Sequence, residues 1–354
     1  MEAIPSKYQL IVILLYTITA LFALFSNVFT IVVLLMAKKT SPVLSKYLIT
    51  LSVSDIIMAT FSMPFSYTIF MYGKWLFHPA FCPVVLSIHV FSVFVSIYIL
   101  IAIGIDRYYA IVRPLDRQNW LKNFPRITIA IICMSGLCLS LTTYYNSKAV
   151  KFTHNNRTHY DCRETWDNSS GRVYTIVMFC VTFAVPVAVL VFVYSRMAYA
   201  VCHREFSQNL SNHLKRQKIQ VIRLLIIVVI AFILCWTGIQ TFSLIVWLFP
   251  NILKFNTRAK YYGYVISYLL LHWISMFHST VNPIVYSFFS DNFRSDLKSA
   301  SKRLWLNKRL LVRFGPNSGS KSSQTSQKTL YTNISLRSDQ KDGIVDDPIK
   351  DNLL

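Results

Sequence analysis

The chain reads as an all-α membrane protein: a seven-transmembrane helix bundle, a short amphipathic eighth helix and a disordered C-terminal tail. Three observations lead there. Seven apolar runs lie at roughly 8–37, 44–71, 80–112, 124–145, 173–201, 219–249 and 261–289, and about 20 residues suffice to cross a bilayer core as helix. Only 14% of the 354 residues are charged, against 54% apolar; a soluble domain carries roughly 25% charged residues. The basic residues behind the net charge of +21 sit between alternate runs and in the tail. That is the positive-inside pattern, helped by attraction to an anionic inner leaflet, and it argues against nucleic acid as a partner.

Topology follows from the same charges. Lys38, Lys39 and Lys46 follow run one; Arg113, Arg117, Lys122 and Arg126 follow run three; Arg204, Lys215, Arg216 and Lys218 follow run five. These loops share one side, expected to be cytoplasmic. The chain is therefore expected in the plasma membrane as a multi-pass protein with its N-terminus outside. Residues 1–7 would be a short extracellular segment, 8–290 the bundle, 291–304 the amphipathic helix on the inner surface, and 305–354 the cytoplasmic tail. Met1 to Lys7 is short and polar, and the run behind it is too long for a cleavable signal, so run one is expected to act as its own insertion signal. Sequons at Asn156 and Asn168 fall in the outer loop between runs four and five, where both are glycosylation candidates.

Taken in order, run one carries Ser26-Asn27 at mid-depth. Run two carries Leu51-Ser-Val-Ser-Asp55 and then Pro64. A carboxylate inside the membrane must face protein or water, so Asp55 is either a hydrogen-bonding hub between helices or a functional group. Pro64 is expected to kink its helix. Run three opens at Cys82 and ends at Asp106-Arg107-Tyr108. An adjacent acid and base at a membrane boundary form either an interfacial anchor or an ion pair that can be broken as a switch. Of seven cysteines, Cys133, Cys138, Cys180, Cys202 and Cys235 lie within or at the edge of apolar runs and read as packing residues. Cys82 and Cys162 lie in polar surroundings and form the natural disulfide pair. Run four has no Trp and no Pro from Arg126 to Tyr145. Run five has Pro186 and Tyr194, run six Phe232 and Cys235-Trp236-Thr-Gly238, and run seven His278-Ser-Thr-Val-Asn282-Pro283-Ile-Val-Tyr286. The stretch after Asp291 puts Phe293, Leu297 and Leu304 on one face. No metal-ligand spacing and no catalytic constellation occurs, so neither a cofactor nor an enzyme is expected.

In their order, spacing and membrane side these residues resemble the rhodopsin-like (class A) family of G-protein-coupled receptors, over about residues 8–304. The matching set is Asn27, Asp55, Trp75, Cys82, Asp106-Arg107-Tyr108, Pro114, Pro186, Tyr194, Phe232, Cys235-Trp236 and Asn282-Pro283-Ile-Val-Tyr286. Tyr160-Asp-Cys162-Arg-Glu164-Thr-Trp166, Arg172-Val-Tyr174-Thr175 and His272-Trp273 are similar to peptide receptors of the RFamide, neuropeptide Y and tachykinin groups. Departures are Ser26 for the usual Gly, Met134 or a neighbour for the usual Trp of helix four, His278 for the usual Asn, and Gly238 for the usual Pro. The last implies that a bend in helix six must come from glycine flexibility.

The resemblance implies an extracellular ligand, a short and amidated peptide, and a heterotrimeric G protein inside. The outward pocket would be lined by Ser66, His89, Phe183, Gln240, Ser243, Trp247, Leu269 and His272; for the two histidines, hydrogen-bonded packing is the other reading. Glu164, with Asp161 and Asp167, would meet a basic side chain of the peptide. Trp236 over Phe232 would be the packing switch. Arg107 would leave Asp106 for Tyr194 and Tyr286, next to Tyr108, Asn282 and Pro283. A sodium ion would sit at Asp55, Ser96 and Ser279. Ser322, Ser323, Thr325 and Ser326 would offer the tail to receptor kinases and arrestin, without the palmitoylated cysteine common after helix eight. The alternatives are the same fold with a lipid, nucleotide or other small ligand, and a scaffold that binds without signalling. A transporter is disfavoured because no internal repeat is visible.

Overall fold

A computed structural model describes residues 5–113, 124–203 and 212–313; the expectations for Pro114, Arg117, Lys122, Arg204 and the tail beyond Arg313 lie outside them. The helices are α1 (Ser6–Leu35), α2 (Pro42–Phe61), α3 (Met63–Tyr72), α4 (Phe81–Val112), α5 (Phe124–Asn146), α6 (Asn168–Phe179), α7 (Val185–His203), α8 (Asn212–Leu248), α9 (Arg258–Phe289) and α10 (Asp291–Arg313). α2 continues into α3, and α6 into α7, so nine helices make seven spans. Among the described residues, six spans are long and apolar enough to cross a membrane by length and composition. α9 is not among them, because it buries His272, Ser275, His278, Ser279, Thr280 and Asn282. Its polar side chains point into the bundle, where partners exist, rather than towards lipid.

α4 is the axis and packs on α2, α5 and α7. α1 lies against α2 and α9, α9 against α8, and α8 against α7, which closes the ring. Leu10, Ile11, Ile18, Phe25 and Leu35 of α1 point outwards, each more than half exposed. Such a belt would be an aggregation surface in water and is the expected surface towards lipid.

The connection between α5 and α6 corrects the all-α expectation. β1 (Ser147–His154) and β2 (Arg157–Glu164) pair antiparallel, from Ser147 opposite Glu164 to His154 opposite Arg157. Asn155 and Asn156 turn the chain with φ of 50° and 57°. Two left-handed residues make the tight hairpin turn, and asparagine tolerates that conformation. Cys162 in β2 is bonded to Cys82 at the start of α4, with Cα atoms 5.6 Å apart, as expected from the sequence. The Trp75 amide donates to the Tyr160 carbonyl at 2.7 Å, so the hairpin is held from two sides over one end of the bundle.

Three distortions shape the interior. At Ser62 the backbone leaves the helix (φ −117°, ψ −58°) ahead of Pro64, the break that a proline without an amide hydrogen requires. A single π turn, Cys180–Ala184, precedes Pro186, another way to absorb a missing hydrogen bond. Gly238 behaves differently from the expected bend. α8 is continuous, and a Cβ at Gly238 would lie 2.6 Å from Leu271 Cδ2; the glycine gives α9 room to approach. α10 runs past residue 304 to Arg313 and buries Phe293, Asp296 and Ala300, with Leu297 half-buried. The expectation for the Leu304 side chain lies outside the described residues.

Candidate functional site

Beneath the hairpin, the break at Ser62 turns polar groups inwards. Ser66 Oγ donates to the Ser62 carbonyl at 3.0 Å, and Ser62 Oγ lies 3.1 Å from His89 Nδ1. His89 faces His272 with ring centroids 6.1 Å apart and Trp236 at 6.4 Å. Tyr16 donates to the Leu269 carbonyl at 3.0 Å, and its oxygen is 2.8 Å from His272 Nδ1. Tyr16 has one proton for these two contacts, so the His272 tautomer sets which of them the hydroxyl donates to. Leu269 thus contributes through its carbonyl, with its side chain buried. Tyr268 stacks on His272 at 5.5 Å and Tyr67 on Tyr16 at 4.7 Å.

Gln240 donates to Thr182 Oγ1 at 3.2 Å, tying α8 to the π turn. Phe183 of that turn lies 6.1 Å from Phe232, and Phe232 6.1 Å from Trp236. Ser243 is half-buried. Trp247 packs on Gly171, where a Cβ would come within 2.1 Å of its ring; that places Trp247 in the joint between α8 and α6 rather than among the histidines.

The three acids of the hairpin end separate by role. Asp167 caps α6, accepting from the Ser170 amide at 3.2 Å and from Ser169 Oγ at 2.5 Å; these bonds hold its carboxyl well below the usual range. Asp161 faces Arg163 at 3.6 Å. Glu164 accepts from Trp166 Nε1 at 2.9 Å. Burial pushes its carboxyl up, against the lowering effect of that bond. It stands within electrostatic reach of Tyr174 and Tyr268.

Deeper, Asn282 Nδ2 donates to Asp55 Oδ2 at 3.1 Å, and the Ser96 and Ser279 hydroxyls also face this carboxyl. Asn27 donates to the carbonyls of Ala23 and Ser279, both at 2.9 Å. Ser96 Oγ donates to Ser54 Oγ, which donates to the Ser92 carbonyl. Oxygen ligands including one carboxylate suit a hard cation such as sodium.

At the opposite end, Arg107 Nη2 and Nε meet Asp106 Oδ2 at 2.5 Å and 3.0 Å, both side chains buried. Tyr194 lies nearby over α4, where a Cβ on Gly104 would be 3.0 Å from its hydroxyl. Tyr286 is buried against Phe293 at 6.4 Å, and Pro283 sits inside α9 between them and Asn282. Tyr108 packs edge-on against Tyr109 at 5.6 Å, apart from the ion pair.

Sequence reasoning missed Tyr16, Ser62, Tyr67 and Tyr268. Tyr16 carried a signal, a hydroxyl inside an apolar run that has to find a partner; nothing in the sequence said that the partner was 256 residues away.

A seven-helix membrane bundle with a cluster of polar and aromatic side chains at one end and a buried arginine–carboxylate pair at the other is the architecture of a transmembrane receptor. Residues 26–286 match the family of 7 transmembrane receptors of the rhodopsin type, and the chain belongs to that family. It is similar to rat neuropeptide FF receptor 2 (28% identity, over 72% of this chain and 63% of the rat protein). It is similar also to the RYamide receptor of Drosophila melanogaster (29%, over 84% and 64%) and the substance-P receptor of Aquarana catesbeiana (24%, over 80% and 68%). The chain thus spans a little under two thirds of the length of the first two.

Removing the Tyr16 hydroxyl tests the pocket floor. Tyr16→Phe should lower the thermal stability of the purified chain by about the 1 kcal/mol of a typical hydrogen bond. In a double-mutant cycle with His272→Ala the two losses should be less than additive. Full additivity would mean that the two side chains do not act as a pair.

Proposed function

We propose that the chain is a G-protein-coupled receptor for a short, amidated neuropeptide. The carrying observation is a stack of rings that runs inwards from the histidines: His89 and Trp236, then Phe232, with His278 of α9 edge-on to the last two. The peptide names borne by the relatives support the ligand class. So does the pocket: it holds His89 where an amine-binding site would need a carboxylate, and the imidazoles of His89 and His272 offer hydrogen-bonding groups to a peptide. Glu164 would take a basic residue of the peptide.

The hairpin end is the outer face in this reading, because exposed Asn156 and Asn168 lie there, where they would be glycosylated, while Lys38 and Lys39 lie at the other end. The N-terminus is then outside, and α10 rests on the inner leaflet. Ligand contact displaces Trp236, α8 swings away at its inner end, and Arg107 leaves Asp106 for Tyr194, Tyr286 and the G protein. The chain makes and breaks no covalent bond; its output is nucleotide exchange on the G protein. A ligand moves the population from 1:99 to 99:1 only with a preference of about 5.5 kcal/mol for the open state. Asp55, Ser96 and Ser279 would hold a sodium ion, which supplies a positive charge among buried oxygens. The tail serines from Ser322 would serve receptor kinases and arrestin.

A calcium and cAMP screen against amidated neuropeptides tests this. A dose-dependent response is expected, lost in Arg107→Ala at unchanged surface level. Silence across the library with surface expression confirmed would turn the assignment towards a lipid, nucleotide or other small ligand, or a scaffold that does not signal.

Potency should also depend on pH. The Glu164 carboxyl is raised by burial in the free receptor, and a bound arginine would lower it. Affinity for an arginine peptide is then full above the free value and lost as pH falls through it, earlier than for an ordinary carboxylate. Glu164→Gln should flatten the profile; an unchanged profile would remove Glu164 from the site.

A further inference from the structure

The C-terminal helix carries a buried acid that the switch described above does not use. Asp296 is 1% exposed. Its Oδ1 accepts the amides of Lys38 and Lys39, both at 2.8 Å, and its Oδ2 accepts the Thr40 amide at 2.9 Å and the Thr40 hydroxyl at 2.7 Å. Four charge-assisted bonds from three consecutive residues fix the connection between α1 and α2 to α10. The next residue, Ser41, is the N-cap of α2 and accepts the Leu44 amide at 3.3 Å. The same Oγ accepts from Arg107 Nη2 at 3.4 Å. α8, the span that has to move, contains no Asp or Glu between Asn212 and Leu248, so it cannot hold Arg107 shut by an ion pair.

We infer that Asp296 and Ser41 are positioning residues of the resting state: Asp296 clamps the 38–40 backbone, and that clamp places Ser41 Oγ against Arg107 beside Asp106. Arg107 is then restrained from the α1–α2 connection and α10 rather than from α8. Whatever lifts α10 away from residues 38–40 would loosen Arg107 without touching the outer pocket. The inference rests on the receptor reading for its consequence, and on contacts alone for the clamp.

Two readouts on the full chain separate those parts. Hydrogen exchange at the Lys38, Lys39 and Thr40 amides reports the clamp; Asp296→Asn should speed it about tenfold, and Asp296→Glu should restore much of the protection. Ligand-independent nucleotide exchange on a purified G protein, per receptor, reports the consequence. Asp296→Asn and Ser41→Ala should each raise it about fivefold, the bias of one lost hydrogen bond. The double variant should exceed neither by much, since both act through one contact. Ser41→Asp keeps the helix cap and turns the contact into an ion pair, so it should lower the basal rate; it also decides the matter if Asp296→Asn fails to fold. Unchanged amide protection in Asp296→Asn overturns the clamp. Protection lost with the basal rate unchanged in Ser41→Ala and in Ser41→Asp overturns the link to Arg107. Silence of every variant, wild type included, overturns that link, while the amide data still decide the clamp and the peptide response decides the receptor reading.

Discussion

Asn282 donates to Asp55 at 3.1 Å in the middle of a bundle whose outer surface is apolar. Away from water, a carboxyl and an amide either find each other or cost several kcal/mol each. The pairing draws α9 against α2, and the neighbouring bonds repeat the pull: Asn27 to the Ser279 carbonyl, and Tyr16 to the Leu269 carbonyl. All three end on α9. Between helices as apolar as lipid, such bonds and close packing are what give the bundle one arrangement.

Both ends of the molecule depend on that seam. Above it, His272 of α9 is fixed by Tyr16 and stacks towards His89. Below it, Tyr286 of the same helix is buried next to Phe293 of α10. Between them His278 lies edge-on to both Phe232 and Trp236. A displacement of Trp236 therefore meets α9 as well as α8. Among the described residues, three of the buried polar atoms that make no hydrogen bond within the protein, His278 Nε2, Trp236 Nε1 and Asn282 Oδ1, lie along the same seam.

The apolar spans were legible because hydropathy acts locally. A run of apolar residues needs no partner to declare itself, and Cys82 and Cys162 stood apart from the other thiols by their polar surroundings. The hairpin was not legible: its strands carry Lys148, Lys151, Arg157 and Arg163, which blur the alternation that marks a strand. The place of Trp247 was not legible for a different reason: it packs on Gly171, a residue noticeable only once the two helices touch. Asp296 was not singled out in the sequence; three backbone amides about 257 residues earlier make it a structural centre.

The dependence on one interhelical bond is open to a reciprocal exchange. Surface level and thermal stability would be measured for Asp55→Asn, Asn282→Asp and the double Asp55→Asn/Asn282→Asp. Each single change leaves two amides or two acids facing one another, and both should lose stability by the roughly 1–3 kcal/mol of a buried group left without its partner. The double change restores one acid and one amide, and should recover most of that loss. Losses that simply add would contradict the account, because the two helices would then be held together by something other than this pair.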